Sequence, residues 1–169
     1  MLYPNGQIQH AGVALGIIGC CGHAFRCLDG SGRHYFDFPD VIRNVSAVTA
    51  ACMLVPSKVF QEVGGFDEEK LPVAFNDIDL CLKIGRRGYR VLYTPHALLH
   101  HFEGFSKTGE DLIPTAPEIA TMWIKWRELM RADPFYSPNL ALDRNDYSFR
   151  PAPLIPECPV PLTMSQAPH

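Results

Sequence analysis

Two aspartates stand at the start of a predicted helix, inside a segment whose other residues are mostly apolar. The segment covers residues 73–82 and reads Val-Ala-Phe-Asn-Asp-Ile-Asp-Leu-Cys-Leu. An unpaired charge in a protein interior is costly, so a carboxylate placed here needs either a partner or a chemical role. Any fold of this chain has to provide one or the other for Asp77 and Asp79.

Helical periodicity separates the two acids. At about 100° per residue, Asp77 lies on the same stripe as Cys81, whereas Asp79 lies on the side of Lys83 and Arg86. We expect Asp79 to be a solvated, ion-paired residue of the first helical turn. Asp77 shares the apolar side and is the better candidate for a general base facing a cleft. The alternative for Asp77 is a carboxylate satisfied by backbone N–H groups at the helix N-terminus.

The remaining pattern predicts one α/β domain, covering residues 1–150. Strands are expected at residues 12–18, 46–55, 89–93 and 97–101, and helices at 57–63, 76–87 and 117–131. Asn76 is predicted as the N-cap of the second helix, with Gly64, Gly65 and Gly88 as helix terminators. Six of the 15 prolines lie in the last 19 residues, so residues 151–169 are expected to form an extended tail.

Composition excludes several classes of protein. A net charge of −3 argues against binding to nucleic acid, and no apolar run approaches the ~20 residues of a membrane span. A cytoplasmic protein is therefore the default expectation. The six cysteines, at positions 20, 21, 27, 52, 81 and 158, form no C-x-x-C pair, which favours reduced core thiols over a zinc site or disulfides.

Two adjacent histidines, His100 and His101, end the last predicted strand. Alternation along a strand sends them to opposite faces, so only one can point into a given site. A neutral imidazole is a good ligand for Mn²⁺-type ions beside oxygen donors. The other interpretation is that both histidines are structural.

Six segments follow one another in a characteristic order. They are residues 2–12, 45–55, 63–68 (Val-Gly-Gly-Phe-Asp-Glu), 75–82 (Phe-Asn-Asp-Ile-Asp-Leu-Cys-Leu), 101–107, and Trp126 with 133–140. In this order they resemble the second half of the catalytic domain of family 2 glycosyltransferases, particularly the bacterial rhamnosyl- and O-antigen-type enzymes. Segment 75–82 resembles their acidic "ED" motif, with Asn76 in place of the usual glutamate.

The resemblance implies a GT-A fold, here a partial one: a mixed sheet flanked by helices, without the first nucleotide-binding βαβ units. It also implies inverting transfer of a sugar from a nucleotide-sugar donor to a hydroxyl of a saccharide or lipid-linked acceptor. Cell-surface polysaccharide assembly follows as the expected setting. We therefore expect a cytoplasmic protein that can bind peripherally at the inner membrane through a lipid acceptor.

The resemblance also implies roles for individual residues. By position, Asp77 would be the general base. The residues expected near the acceptor are Gly65, Asp67, Glu68 and Asn76. A divalent metal, Mn or Mg, would bind a D-x-D motif and His101, with His100 as the alternative ligand; the one D-x-D spelling here, residues 77–79, already belongs to the ED motif.

Three functional hypotheses remain open at this point. The chain is a catalytic fragment that requires a separate N-terminal half or self-association, or a non-catalytic interaction module that kept the fold. A metal-dependent hydrolase using Asp77, Asp79 and His101 is the third and weakest, because the helix sets the two aspartates on different sides.

Overall fold

The computed structural model of the protein describes residues 1–102 and 114–150. In these ranges the helices are α1 (Ser57–Glu62), α2 (Asn76–Arg86) and α3 (Ala116–Arg131). The strands are β1 (Val13–Leu15), β2 (Cys21–His23), β3 (Arg43–Asn44) and β4 (Leu92–Tyr93). The predictions made for residues 103–107 and for the tail at 151–169 lie outside the described residues.

The strands form two small antiparallel sheets. β1 pairs with β2, with Val13 opposite His23, and β3 pairs with β4, with Arg43 opposite Tyr93. An isolated antiparallel bridge from Val13 to Ala47 adds to the first sheet. The chain therefore contains both helices and strands, as predicted. The expected mixed sheet is not seen in the described ranges, where the strands form two separate antiparallel pairs instead.

The predicted strand at residues 46–55 is wrong. Its one ladder contact is the bridge of Ala47, and Ala50–Cys52 forms a 3₁₀ turn instead. The hydroxyl of Thr49 accepts a hydrogen bond from the Ala51 backbone N–H at 3.3 Å and caps this turn, which interrupts the extended run. Leu54 is 99% exposed. The apolar, β-branched composition of residues 46–55 predicted a buried strand. In the described ranges this segment has no partner strand beyond the bridge of Ala47.

The other predicted strands are shorter than expected. Residues 12–18 contribute only β1, and residues 89–93 only β4. Residues 97–101 retain a single parallel bridge between Leu2 and His100. Strands depend on pairing with distant segments, so local composition overestimated their length.

The three predicted helices are confirmed to within one residue at each end. Gly64 and Gly65 follow α1 with φ values of 79° and 63°, as a left-handed helix terminus requires. Asn76 is not the N-cap of α2, however. Phe75 occupies that position with φ 62°, and Asn76 is the first helical residue.

The core that supports the candidate site lies between β1, α2 and α3. Met122, Trp126 and Met130 of α3 are buried there, as the helical pattern predicts, and burial of each such side chain stabilises the fold by about 1.5–3 kcal/mol. Gly16, after β1, has φ 73°, and a Cβ there would lie 2.1 Å from the Met130 carbonyl oxygen. Glycine therefore allows β1 to approach α3. No helix in the described ranges is long and apolar enough to cross a membrane.

The five described cysteines are free thiols, as predicted. Cys20 and Cys81 are buried, which fits the expected core thiols. Cys27 and Cys52 are exposed, so the expectation of core positions is wrong for these two. For Cys52 the cause is the 3₁₀ turn that replaces the predicted strand.

Candidate active site

Asp77 lies in the first turn of α2 and is half-exposed. Its Oδ1 accepts a hydrogen bond from the Ile78 backbone N–H at 2.8 Å, and its Oδ2 accepts one from the Ala50 N–H at 3.0 Å. Within residues 1–102 and 114–150, no ion pair joins it to a lysine or arginine. The carboxylate is held in one orientation, and each oxygen keeps accepting capacity. Such a group can take a proton from a bound hydroxyl.

The Asp77 carboxylate affects the pKa values of two neighbouring thiols, Cys81 and Cys21. Burial raises the pKa of Cys81, one turn along α2, to about 12, and the Asp77 carboxylate adds to that rise. The hydrogen bond with Cys20 and burial raise the pKa of Cys21, and the charges of Asp133 and Asp77 act in the same direction. Asp77 therefore has neutral thiols nearby.

Asp79 is fully buried, at 0% exposure, so the prediction of a solvated residue is wrong. Its Oδ1 accepts from the Trp126 indole N–H at 2.8 Å and lies 2.7 Å from Lys125 Nζ. Its Oδ2 lies 3.3 Å from Lys83 Nζ, the partner expected at i+4. Arg86 instead stacks over the Trp126 ring at 4.3 Å. Two ammonium groups and one indole N–H thus offset the cost of burying this charge.

The glycine loop, residues 64–68 after α1, contacts the same two lysines. Lys83 Nζ donates to the carbonyl of Gly65. Lys125 Nζ lies 2.8 Å from Asp67 Oδ2, and Asp67 Oδ1 accepts from the Lys70 backbone N–H at 3.1 Å. The hydrogen bond from Lys125 and that from Lys70 hold the pKa of Asp67 below its ordinary value. Both oxygens of Asp67 are therefore engaged within the protein.

The remaining predicted acceptor residues have fewer contacts. Glu68 is exposed and forms no hydrogen bond or ion pair with another described residue. Asn76 is half-buried and opens α2. In the described part of the chain, the glycine loop is tied to Asp79 and makes no hydrogen bond to Asp77. The structure thus joins Gly65 and Asp67 to one aspartate of the motif and leaves the other separate.

Glu118 of α3 holds the segment that precedes Asp77. It is buried, and its Oε1 accepts from the backbone N–H groups of Val73 at 3.0 Å and Ala74 at 2.7 Å. Its Oε2 accepts from the N–H of Thr115 at 3.0 Å and from its hydroxyl at 2.8 Å. Burial opposes ionisation, but these donors outweigh it and hold the pKa of Glu118 below its ordinary value. The Thr-x-x-Glu spacing signals a capping box, whereas the contact with 73–74 has no sequence signal.

His101 lies beside a buried glutamine. Its Nδ1 is 3.1 Å from Gln9 Oε1, and the carbonyl oxygen of Gln9 is 3.1 Å from Nδ1 of His23. The rings of His23 and His10 meet edge to face, with centroids 5.0 Å apart. His101 is half-buried and His100 exposed, which agrees with the predicted alternation. Sequence spacing gave no sign that His10 and His23 would gather near His101.

Comparison with known proteins identifies the family. A profile of the family described as "Glycosyltransferase like family 2" matches residues 22–116, more than half of the 169-residue chain. The chain belongs to glycosyltransferase family 2. No solved structure is significantly similar to it.

Three bacterial proteins are similar to this family 2 chain. An uncharacterized protein, y4gI, of Sinorhizobium fredii is 44% identical over 151 residues, which are 87% of this chain and 17% of that protein. The O-antigen biosynthesis protein RfbC of Myxococcus xanthus is 35% identical over 159 residues, 90% of this chain and 12% of that protein. An N-acetylglucosaminyl-diphospho-decaprenol L-rhamnosyltransferase of Mycobacterium tuberculosis is 36% identical over 69 residues, 41% of this chain and 22% of the enzyme. Each alignment therefore spans less than a quarter of the relative's length.

Family 2 enzymes generally use a divalent metal ion, for which His101 is the predicted ligand. Among the residues that the structure describes, no three His, Cys, Asp or Glu side chains converge in a way that could hold an ion. The Nδ1 of His101 is already in contact with Gln9, which leaves Nε2 as its available ligand atom. The described residues do not form a metal site by themselves, and the role of His101 stays a prediction.

An apolar groove of about 650 Å³ opens beside the second sheet. Residues 53–56 and 89–94 contribute most of its lining. In the described part of the chain, the backbone of residues 53–55 makes no hydrogen bond. Leu54 and Leu92 are exposed beside it. The groove thus combines apolar side chains with unpaired, extended backbone.

Proposed function

We propose that this chain is the acceptor-side part of an inverting glycosyltransferase, with Asp77 as the general base. The observation that carries the proposal is the state of the Asp77 carboxylate. It is half-exposed, oriented by two backbone N–H groups, and without a cationic partner in the described ranges. Family membership supplies the reaction class, transfer of a sugar from a nucleotide-sugar donor to an acceptor hydroxyl.

The proposed step is a single displacement. The acceptor oxygen forms a bond to the anomeric carbon while its proton passes to a carboxylate oxygen of Asp77. The bond between that carbon and the diphosphate oxygen breaks, and its electron pair leaves with the nucleoside diphosphate. Attack from the face opposite the leaving group inverts the configuration. A positioned base accelerates such a step by about 10²–10⁴-fold.

The apolar groove supports a second part of the proposal. Extended backbone without hydrogen-bond partners can pair with further polypeptide, as a strand edge does, and in the described ranges residues 53–55 present such a segment beside apolar side chains. We infer that the donor-binding part of a GT-A domain, with its first nucleotide-binding βαβ units, packs here. It would come from a separate N-terminal half, from more of the same polypeptide, or from self-association. The much greater length of the relatives fits this view.

The names of the relatives suggest the substrates. One relative is an O-antigen biosynthesis protein, and another is a rhamnosyltransferase named for a diphospho-decaprenol saccharide. A saccharide on a lipid carrier is therefore the acceptor we propose, met in the cytoplasm at the inner membrane. A Mn or Mg ion would require ligands from the completed domain in addition to His101.

The alternatives differ in what supports them. An interaction module that kept the fold is favoured by the groove, which does not depend on catalysis. A hydrolase that uses Asp77 and Asp79 on one metal ion is disfavoured. Both oxygens of Asp79 already lie within 3.3 Å of lysine ammonium groups, so this carboxylate has no room for a cation.

The test is transfer of one sugar from UDP-, GDP- and dTDP-sugars to decaprenyl-diphosphate-linked N-acetylglucosamine, followed by mass spectrometry. The assay is run with Mn²⁺ or Mg²⁺ on this chain and on the polypeptide that completes its domain. We expect a product one sugar heavier, whose anomeric configuration by NMR is opposite to that of the donor. Retained configuration would exclude the proposed single displacement. Binding of partner polypeptide at the groove without any transfer would favour the interaction module.

A further inference from the structure

The buried carboxylate of Asp79 is the centre of a four-charge network. Lys83 and Lys125 both contact Asp79, and each has a second partner on the glycine loop. Lys83 Nζ donates to the Gly65 carbonyl, and Lys125 Nζ pairs with Asp67 at 2.8 Å. Two carboxylates and two ammonium groups balance one another. The loop is thereby tied through two side chains to a single residue of α2.

The lysines come from different elements, which fixes the loop from two directions. Lys83 projects from α2, and Lys125 from α3. The α3 helix leaves regular geometry at Trp126, with φ −126°, and the indole of that residue donates to Asp79. Hydrogen bonds to Asp67 and Asp79 raise the pKa of Lys125 despite its partial burial, which keeps the bridge charged.

The network leaves the two loop acids in different states. Both oxygens of Asp67 accept hydrogen bonds within the protein. The position of Gly65 requires glycine, because a Cβ there would lie 3.0 Å from the Phe60 ring and its φ is 63°. Glu68 follows directly, is exposed, and has no partner among the described residues. Within residues 64–68, Glu68 is therefore the acid whose carboxylate stays available to a ligand, and the equally exposed Glu69 after the loop provides the matched comparison.

We infer that Asp79 is a positioning residue, which acts through Lys83 and Lys125 to fix the glycine loop so that Glu68 contacts the acceptor. Asp67 then has a structural role. The inference rests on the proposed function for the acceptor, but the tie between Asp79 and the loop can be measured without any activity. A hydroxyl-rich saccharide is the ligand that an exposed carboxylate on a fixed loop would bind through hydrogen bonds.

The first arm of the test is amide hydrogen exchange in Lys125→Met, with Lys58→Met as a control on α1. We expect faster exchange at residues 65–70 in Lys125→Met, with α3 still protected, and no change in the control. Unchanged exchange in the loop would overturn the tie. If Lys125→Met does not fold, Lys83→Met is measured in its place against the same control, since it removes the other bridge.

The second arm is kinetic and uses the surface pair Glu68→Gln and Glu69→Gln, which should both fold. With decaprenyl-diphosphate-linked N-acetylglucosamine as the probe, Glu68→Gln should raise the acceptor KM about tenfold or more, the loss of one charge-assisted hydrogen bond. Its donor KM and the kinetics of Glu69→Gln should stay unchanged. Equal effects of both substitutions, or none, would overturn the role of Glu68. If the wild type transfers no sugar, the proposed function fails, while the exchange arm still decides the tie.

Discussion

The two aspartates of α2 stand two residues apart and occupy opposite environments. Asp79 is fully buried and meets two ammonium groups and an indole N–H. Asp77 is half-exposed and meets only backbone N–H groups. A buried charge requires compensation, whereas a general base requires access and a free lone pair. One short motif thus contains a structural acid and an acid available for chemistry.

The surroundings of the two acids extend the contrast. On the Asp79 side, lysines from α2 and α3 reach the glycine loop. On the Asp77 side lie thiols, with Cys81 in contact with Val48 rather than with a cation. The ion pairs of α2 are therefore concentrated on the Asp79 side, whereas the Asp77 side borders the buried apolar core.

The largest expected effect on stability comes from Asp79→Asn. This change leaves two partly buried ammonium groups, whose side chains are 22% and 28% exposed, without their shared counter-charge. We expect it to lower the free energy of unfolding by about 3 kcal/mol, the low end of the range for a broken buried pair. Asp77→Asn, the matched substitution, removes only a charge at a helix N-terminus, worth about 0.3–1 kcal/mol. Urea denaturation of both variants measures the difference. Equal losses in the two variants would remove the contrast between the two sides.

Glu118→Gln should have a smaller effect. The carboxylate accepts four hydrogen bonds, three of them from backbone N–H groups, and an amide cannot accept all of them. We expect a loss of about 1–3 kcal/mol in the free energy of unfolding. Glu128→Gln, on the exposed side of the same helix, is the control. Because the pKa of Glu118 is lowered by folding, its contribution is present above the ordinary glutamate pKa and disappears as the pH falls below it.

His10 predicts a third effect, which depends on pH. Burial, together with the charges of His23, the amino group of Met1 and Arg43, lowers the pKa of His10 well below its ordinary value. The unfolded chain therefore takes up a proton below about pH 6.5 that the folded chain refuses, and stability falls by up to about 1.4 kcal/mol per pH unit. Thermal unfolding from pH 7 to pH 5 should show a shallower fall in His10→Gln than in the wild type. An identical slope in the two proteins would contradict a buried neutral His10, and exposed His96→Gln is the control.

The smallest effect concerns the thiols. Cys27 and Cys52 are exposed, whereas the pKa of Cys81 is raised to about 12 by burial. At pH 8 the Cys81 side chain is therefore almost entirely in the unreactive thiol form. Iodoacetamide followed by mass spectrometry should label Cys27 and Cys52 first, and Cys81 only after unfolding in urea. Early labelling of Cys81 would show that solvent reaches this side of α2 in the folded protein, contrary to the burial of Cys81.

Sequence reasoning succeeded where the signal is local. The three helices follow from apolar periodicity and from terminating glycines such as Gly64 and Gly88, which act within a few residues. The strand predicted at residues 46–55 failed because a strand needs a distant partner, and the Thr49 cap produced a turn instead. Local composition carries little information on such pairing.

The candidate site divides in the same way. Helical periodicity separated Asp77 from Asp79 and predicted Lys83 as a partner. It could not predict that Lys125 and Trp126 bury Asp79, because these residues lie on another helix. The expectation of a solvated Asp79 considered α2 alone, and it failed because contacts from α3 bury this residue.

The measurement that tests the central claim most directly is sugar transfer by Asp77→Asn at saturating donor and acceptor. The substitution keeps the size of the side chain and removes its ability to take a proton. The general-base role of Asp77 predicts that kcat falls by about 10²–10⁴-fold, with both KM values and the thermal unfolding midpoint close to those of the wild type. A variant whose kcat falls by less than about tenfold would contradict this role, because that loss is smaller than the loss of a general base causes.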